Sequence, residues 1–196
     1  MIHIGVLALQ GSVVEHLNSL SRLKGVKAVT VKSPSDLEGI SGLILPGGES
    51  TTIGKLMKDF GLAGPIVRKV KEGMPIWGTC AGMILMAKEV VGENYTHLGL
   101  MDISVKRNAY GSQLDSFSLT IGIPQVSPDG IPLVFIRAPW VERIHGNVEI
   151  LAAMNNRIIA VQQNRMLATS FHPELTENIA FHRYFADMAK DFFKVG

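Results

Sequence analysis

Through residues 2–90, short and nearly continuous apolar runs alternate with stretches of helical periodicity. Ile2 to Leu9 is one such run, rich in β-branched residues, and a strand without polar alternation is buried on both faces. Gln10-Gly11-Ser12 interrupts it. Val13, Val14, Leu17, Leu20 and Leu23 then recur at helix spacing as far as Gly25. Val26 to Val31 predicts a second strand, Gly42 to Leu45 a third, and Pro75 to Gly78 a fourth. Helices are predicted around Thr52 to Phe60, Ala63 to Lys71 and Ala81 to Val90. Such alternation calls for a parallel sheet covered by helices on both faces.

From Leu100 to Ser170 the pattern changes to short strands divided by Gly, Pro and Asn. The candidates are Met101 to Lys106, Phe117 to Ile121, Leu133 to Ile136, Glu149 to Met154, Ile158 to Gln163 and Met166 to Ser170. Asn155-Asn156 and Asn164-Arg165 read as hairpin turns. Glu177 to Phe193 carries the apolar stripe of a terminal amphipathic helix. The expected fold is three-layer α/β, with a mostly parallel central sheet, helices on both faces and an antiparallel β extension. With 196 residues and no linker or repeat, one domain over 1–196 is expected.

Composition narrows the function classes. A net charge of +2 gives no electrostatic reason to invoke nucleic acid or an anionic membrane. No apolar run reaches the roughly 18 residues of a membrane helix. The N-terminus lacks a basic region and a cleavage site, so it reads as a first core strand and not a signal peptide. Cys80 is the one cysteine of the chain, which excludes an internal disulfide and fits a reducing compartment. The expectation is a soluble, cytoplasmic protein.

That cysteine stands at the centre of Gly78-Thr79-Cys80-Ala81-Gly82, between a predicted strand and a predicted helix. A thiol there occupies a sharp turn at the top of the sheet, with small neighbours to admit a substrate. The start of a helix favours thiolate over thiol. This is the layout of a nucleophile elbow. A nucleophile of this kind needs a base, and the base an orienting acceptor. His172-Pro173-Glu174 offers both, since residues i and i+2 of an extended segment share a side. Alone, that tripeptide also suits a surface turn; beside an elbow cysteine the triad reading takes precedence. An oxyanion needs N–H donors, which Ala81 and the Gly47-Gly48 loop can supply. The plain alternative for that loop is a turn into a helix capped by Ser50 or Thr51. A phosphate-binding loop ending at Gly54-Lys55 is rejected, because Glu49 replaces its first glycine and Leu56 its Ser or Thr. Arg107 and Arg137 end predicted strands and could grip a carboxylate; solvated arginines are the plain reading. His3, His16, His97, His145 and His182 have ordinary strand, helix or loop settings, and no spacing suggests a structural zinc site.

Together the elbow, the Pro46-Gly47-Gly48-Glu49-Ser50 loop and the His-Pro-Glu segment resemble class I, triad-type glutamine amidotransferases, whose fold is flavodoxin-like. Leu9-Gln10-Gly11 with Glu15-His16, Gly47 to Thr52, Arg107-Asn108-Ala109-Tyr110-Gly111, Ile136-Arg137-Ala138-Pro139 and Ala168 to Leu175 are similar to the glutaminase subunits of pyridoxal 5′-phosphate synthase. The resemblance runs the length of the chain. It implies Cys80 as nucleophile, His172 as acid and base, Glu174 as its partner, and Gly48 and Ala81 as oxyanion donors. It implies glutamine contacts at Gly48, Glu49, Ser50, Arg107, Ile136 and Arg137, and a partner or activation contact at Gln10. Ser112 departs from the family's Arg-Asn-x-[Tyr/Phe]-Gly-Arg-Gln pattern.

The resemblance also implies the reaction: hydrolysis of L-glutamine through a γ-glutamyl thioester, with no metal or organic cofactor. One domain of this size leaves no room for an ammonia acceptor site. A separate acceptor subunit is implied, which the resemblance names as a (β/α)₈-barrel pyridoxal 5′-phosphate synthase in a hetero-oligomeric complex. Two alternatives stay open. One is a glutaminase of the same class serving another acceptor, as in histidine biosynthesis. The other is a cysteine-elbow hydrolase of the intracellular peptidase/deglycase type, although those place histidine where Ala81 stands.

Overall fold

The computed structural model describes residues 1–107 and 116–195. The Asn108 to Ser112 portion of the Arg107 motif lies outside them. The apolar runs of the N-terminal half become β1 (Ile2–Leu7), β2 (Val26–Val31), β3 (Gly42–Leu45) and β4 (Ile76–Thr79). The helical stretches become α1 (Val13–Ser21), α2 (Ser50–Asp59) and α3 (Ala63–Lys71). Strands β3 and β4 are buried at every position, as their lack of alternation requires.

The segment after Cys80 departs from expectation. Helix α4 covers only Ala81–Met86, and Ala87–Val90 is a strand, β5. The backbone turns extended at Ala87 and pairs in parallel with β6 (Met101–Lys106). Ala87 and Val90 are buried while Lys88 and Glu89 are exposed, a three-residue spacing that still reads as helical, and a register irregularity between Ala87 and Glu89 accommodates it in the strand.

The remaining strands are β7 (Ser116–Ile123), β8 (Ser127–Ile136), β9 (Trp140–Ile144), β10 (Glu149–Met154), β11 (Arg157–Gln163) and β12 (Met166–Thr169). Strand β9 was not expected. Its short run carries two charged residues, Glu142 and Arg143, and it is fixed by pairing between β6 and β11. The β10–β11 turn is made by Asn155 and Asn156, both at positive φ (48° and 61°), as a tight hairpin needs. The terminal helix α5 runs over Ala180–Val195, starting later than its apolar stripe suggested.

The main sheet has the order β2-β1-β3-β4-β12-β11-β9-β6-β5, with β10 paired to β11. Strands β2, β1, β3, β4 and β12 are parallel, and β11 reverses direction. Strands β7 and β8 form a separate antiparallel pair. One apolar cluster joins the sheet to α2, α3 and α4 through Ile53, Met57, Ile66 and Met83. The other joins the opposite face to α1 and α5 through Leu20, Phe181 and Phe185, with Trp77 fully buried among them. The fold is thus the three-layer, flavodoxin-like one. The chain crosses from β2 on one side of β1 to β3 on the other, so a crevice opens beyond their carboxyl ends. Among the described residues, no helix is long and apolar enough to cross a membrane.

Candidate active site

At that crevice the turn after β1, the loop after β3, the turn after β4 and the segment after β12 meet. With the ends of β6 and β8 they border a pocket of about 340 Å³. Cys80, Ala81 and His172 line it, with Gly48, Glu49 and Ser50 on one wall. Gln10, Arg107, Ile136 and Arg137 complete it. Of the site residues predicted from sequence, only Glu174 is set back, behind His172.

Cys80 has φ 48° and ψ −103°, a strained conformation for a residue with a side chain. The surrounding structure imposes it. The Cys80 N–H donates to the Thr169 carbonyl at 2.8 Å, which ties the elbow to β12, and its own carbonyl accepts from Met83 N–H at 3.1 Å. Gly82 lets α4 lie against β3: a Cβ there would stand 2.1 Å from the Leu45 carbonyl oxygen. Cys80 is 7% exposed, and its Sγ is 3.9 Å from the Ile136 carbonyl oxygen.

His172 is fixed by its backbone N–H, which donates to the Val134 carbonyl at 2.8 Å. Its Nδ1 lies 2.8 Å from Glu174 Oε1. The contact is not made along an extended segment, as the i, i+2 spacing suggested. Pro173–Leu175 is a single 3₁₀ turn, with His172 at its start. Burial works to lower the His172 pKa. Hydrogen bonds with Cys80 and Glu174, reinforced by their charges, outweigh it and hold the value up at about 10. Burial likewise works to raise that of Glu174. The field of His16, present once acid has protonated that ring, and the field of His172, with hydrogen bonds from His172 and Ser12, bring it down to about 2. Near neutrality the pair is an imidazolium on a carboxylate.

The loop walls are clamped to each other. Gln10 Oε1 accepts from Glu49 N–H at 2.8 Å, and the Gly47 carbonyl accepts from Ser12 N–H at 3.0 Å. Glu49, not Ser50 or Thr51, caps α2: its carboxylate accepts from Thr51 N–H at 3.3 Å and Thr52 N–H at 2.7 Å. Arg107 Nη2 reaches the same carboxylate at 3.3 Å, while Nη1 donates to Tyr95 at 3.0 Å and Thr51 at 3.3 Å. Partial burial opposes ionisation of Glu49, but these donors and the Arg107 charge hold its carboxyl below the ordinary value. Arg137, at φ 43°, follows the last residue of β8 and is exposed where it lines the pocket. The pocket thus offers a thiol at its base, with two guanidinium groups and one carboxylate toward its mouth. Among the described residues, no cluster of His, Cys, Asp and Glu is arranged to hold a metal ion.

Four residues behind His172 and Glu174 have no role assigned from sequence, His16 and His182 among them being read as ordinary helix histidines. Ser12 Oγ donates to Glu174 Oε1 at 2.6 Å. His16, Thr79 and His182 are all fully buried beside it. The available signal was that His16 lies four residues after Ser12 and four before Leu20. That places it on the apolar face of α1, where a polar ring needs a buried partner.

Residues 6–191 match the model of the SNO glutamine amidotransferase family. The pyridoxal 5′-phosphate synthase subunit PdxT of Ruminiclostridium cellulolyticum is 53% identical over 188 residues, covering 96% of this chain and all of that one. The protein of the same name from a Thermoanaerobacter species is 55% identical, over 94% of this chain and 97% of its own. A crystal structure of a glutamine amidotransferase, 44% identical, superposes with a TM-score of 0.90 over 95% of this chain and 98% of its own. With the elbow, loop and His-Pro-Glu segment gathered at one pocket and the match spanning nearly the whole sequence, the chain belongs to the SNO glutamine amidotransferase family.

Proposed function

We propose that this chain releases ammonia from L-glutamine for pyridoxal 5′-phosphate synthesis, with Cys80 as nucleophile, His172 as acid and base, and Glu174 as its partner. One observation carries the reading: Cys80 and His172 line a pocket that Gly48, Glu49, Ser50, Arg107, Ile136 and Arg137 also border, and Glu174 stands behind His172 at 2.8 Å from its Nδ1. At about 340 Å³ the pocket falls within the ~300–1,000 Å³ range of small-molecule sites. Arg107 and Arg137 suit the α-carboxylate of an amino acid, and Glu49 its α-ammonium. Gly48, Ser50 and Ile136 contribute the close walls.

The thiolate of Cys80, paired with the His172 imidazolium, attacks the side-chain carbonyl carbon of glutamine. The π electrons move to oxygen, and the N–H groups of Gly48 and Ala81 receive the oxyanion. As the intermediate collapses, His172 gives its proton to the departing nitrogen and ammonia leaves. The γ-glutamyl group remains on Sγ as a thioester. Neutral His172 then takes a proton from water, the hydroxide adds to the thioester, and the C–S bond breaks. Glutamate departs, with thiolate and imidazolium restored. Glu174 orients the ring and stabilises its charge throughout. Glutamine and water give glutamate and ammonia, and no oxidant or reductant is required.

Residues 1–196 act as one glutaminase domain. Ammonia released to solvent would be protonated and lost as a nucleophile, so an acceptor subunit takes it directly. The name shared by the curated relatives supports a pyridoxal 5′-phosphate synthase complex over the histidine-biosynthesis alternative. The acceptor is the (β/α)₈-barrel synthase subunit, and the exposure of Gln10 at the pocket supports a contact with it there. Ala81 after Cys80 opposes the deglycase alternative. The test is glutamate release with and without that synthase. Stimulation is expected, and Cys80→Ala abolishes activity without changing the urea midpoint. Full ammonia release by Cys80→Ala would remove the mechanism. Stimulation by a different acceptor enzyme, and not by this synthase, would remove the partner.

A further inference from the structure

Behind Glu174 lies a chain of buried imidazoles that the reaction described above does not use. His16 on α1 and His182 on α5 are both fully buried, as is Thr79, the residue before the nucleophile. His16 Nδ1 is 3.0 Å from His182 Nε2, and His16 Nε2 is 3.1 Å from Thr79 Oγ1. His16 Nε2 also stands 3.5 Å from Glu174 Oε2. The two carboxylate oxygens of Glu174 are treated unequally. Oε1 faces both Ser12 Oγ at 2.6 Å and His172 Nδ1 at 2.8 Å, while Oε2 is buried and accepts no hydrogen bond from the described residues.

We propose that His16 is a positioning residue of the triad, a neutral ring whose Nε2–H faces Glu174 Oε2 and Thr79 while His182 donates its own Nε2–H to His16 Nδ1. The proposal rests on the triad reading of Cys80, His172 and Glu174. Its logic is one of proton placement. Without a proton on Nε2, a lone pair of His16 would confront a buried carboxylate oxygen, with no solvent to separate them. With the proton there, the ring dipole supports the otherwise unsupported oxygen, and the N–H is shared with Thr79. His16 Nδ1 is then an acceptor, so the proton between the two rings belongs to His182 Nε2. That leaves His182 Nδ1 bare, consistent with its having no hydrogen-bond partner among the described residues. A bare buried acceptor is better tolerated than an orphaned N–H.

The charge balance agrees. Glu174 and His172 face His16 from the segment after β12, Glu15 lies on its own helix, and His182 faces it from α5, with Arg22 near His182. Burial dominates and lowers the pKa of His16, and burial lowers that of His182 to about 3, so both rings are neutral near pH 7. His16 thereby joins α1, the end of β4 and the Glu174 turn in one dry contact.

Two measurements test this on the full chain. Long-range ¹⁵N–¹H spectra of the histidine rings in the wild-type protein report the tautomer directly; Nε2–H on both His16 and His182 is expected. Glutamine kinetics in complex with the synthase subunit then compare two variants. His16→Leu is expected to lower kcat about 10- to 100-fold, the scale of one lost interaction with a charged group. KM should hold, and the alkaline limb of the kcat–pH profile should move to lower pH as the grip of Glu174 on His172 weakens. His16→Gln, whose amide can present an N–H near the Nε2 position, should recover most of kcat. An Nδ1–H tautomer of His16, an unchanged kcat and pH profile in His16→Leu, or a His16→Gln no better than His16→Leu would each overturn the proposal. The ring spectra need neither turnover nor a folded variant. Failure of the wild-type complex to hydrolyse glutamine would instead count against the triad reading on which the proposal stands.

Discussion

The imidazole of His172 occupies the space that a side chain on Gly47 would fill: a Cβ at Gly47 would lie 2.3 Å from His172 Cε1 and 2.9 Å from Nδ1. The Gly47-Gly48 loop and the His172 ring are therefore packed in direct contact, and a change in one displaces the other. Gly47→Ala forces the ring off Glu174 or the loop off the pocket. Since a 1 Å misplacement of reacting groups costs roughly 100-fold in rate, Gly47→Ala should lower kcat by about that factor while the protein stays folded. Near wild-type turnover would show that the loop and ring can separate without consequence.

Glu174 Oε1 sits between Ser12 Oγ and His172 Nδ1. Ser12→Ala removes one donor to a buried carboxylate and leaves the ring contact in place. A hydrogen bond to a charged group contributes about 1.5–3 kcal/mol. The variant should lower the urea-derived stability by an amount of that order and reduce kcat about tenfold, with KM for glutamine unaffected. A raised KM with normal kcat would place Ser12 in substrate binding and not in support of Glu174.

The parallel half of the sheet was legible because β3 and β4 are apolar at nearly every position, and such runs have few other uses. The reversal after Met86 was not. Met83 to Ala87 has helical spacing, and only the pairing of Ala87–Val90 with β6 makes those residues a strand. Strand β9 was hidden for a similar reason, since partners distant in sequence stabilise it. In the site, Cys80, His172 and the Gly47-Gly48 loop announce themselves by residue type and position. Ser12, His16 and His182 do not, because a serine at a helix start and histidines on helices are ordinary residues until the fold closes over them. Their role depends on contacts 162 and 166 residues apart in sequence.

The same cluster sets opposing pH dependences for stability. His172 is raised from 6.5 to about 10, so its contribution is complete below pH 6.5 and is lost as pH rises through about 10. His182 is lowered from 6.5 to about 3. The unfolded chain then binds a proton that the folded chain refuses, and stability falls as pH drops from 6.5 toward 3. Glu174, lowered from 4.5 to about 2, adds a loss on the acid side as pH falls from 4.5 through about 2. Urea midpoints across pH 3–10 should therefore fall on both sides of neutrality. His172→Gln should flatten the alkaline arm, and His182→Phe the acid arm. An alkaline arm that is unchanged in His172→Gln would show that the imidazolium is not held by the triad.

Arg107 is oriented by the protein's own side chains. Its guanidinium is held by Glu49, Tyr95 and Thr51 at the pocket wall. Such a group offers a carboxylate two parallel hydrogen bonds with little further ordering to do. It lies in the wall with Cys80 at the pocket base, so its contacts should be equally strong in ground and transition states. Arg107→Ala should then raise KM for glutamine about 10- to 100-fold and leave kcat nearly unchanged. Arg107→Lys should recover little, because a lysine cannot reproduce the paired geometry. The α2 helix should survive either change, since Thr51 and Thr52 still donate to the capping carboxylate of Glu49. Steady-state kinetics over a wide glutamine range separate the outcomes. A fall in kcat at unchanged KM would mean that Arg107 acts on the chemical step and not on binding of the amino-acid end.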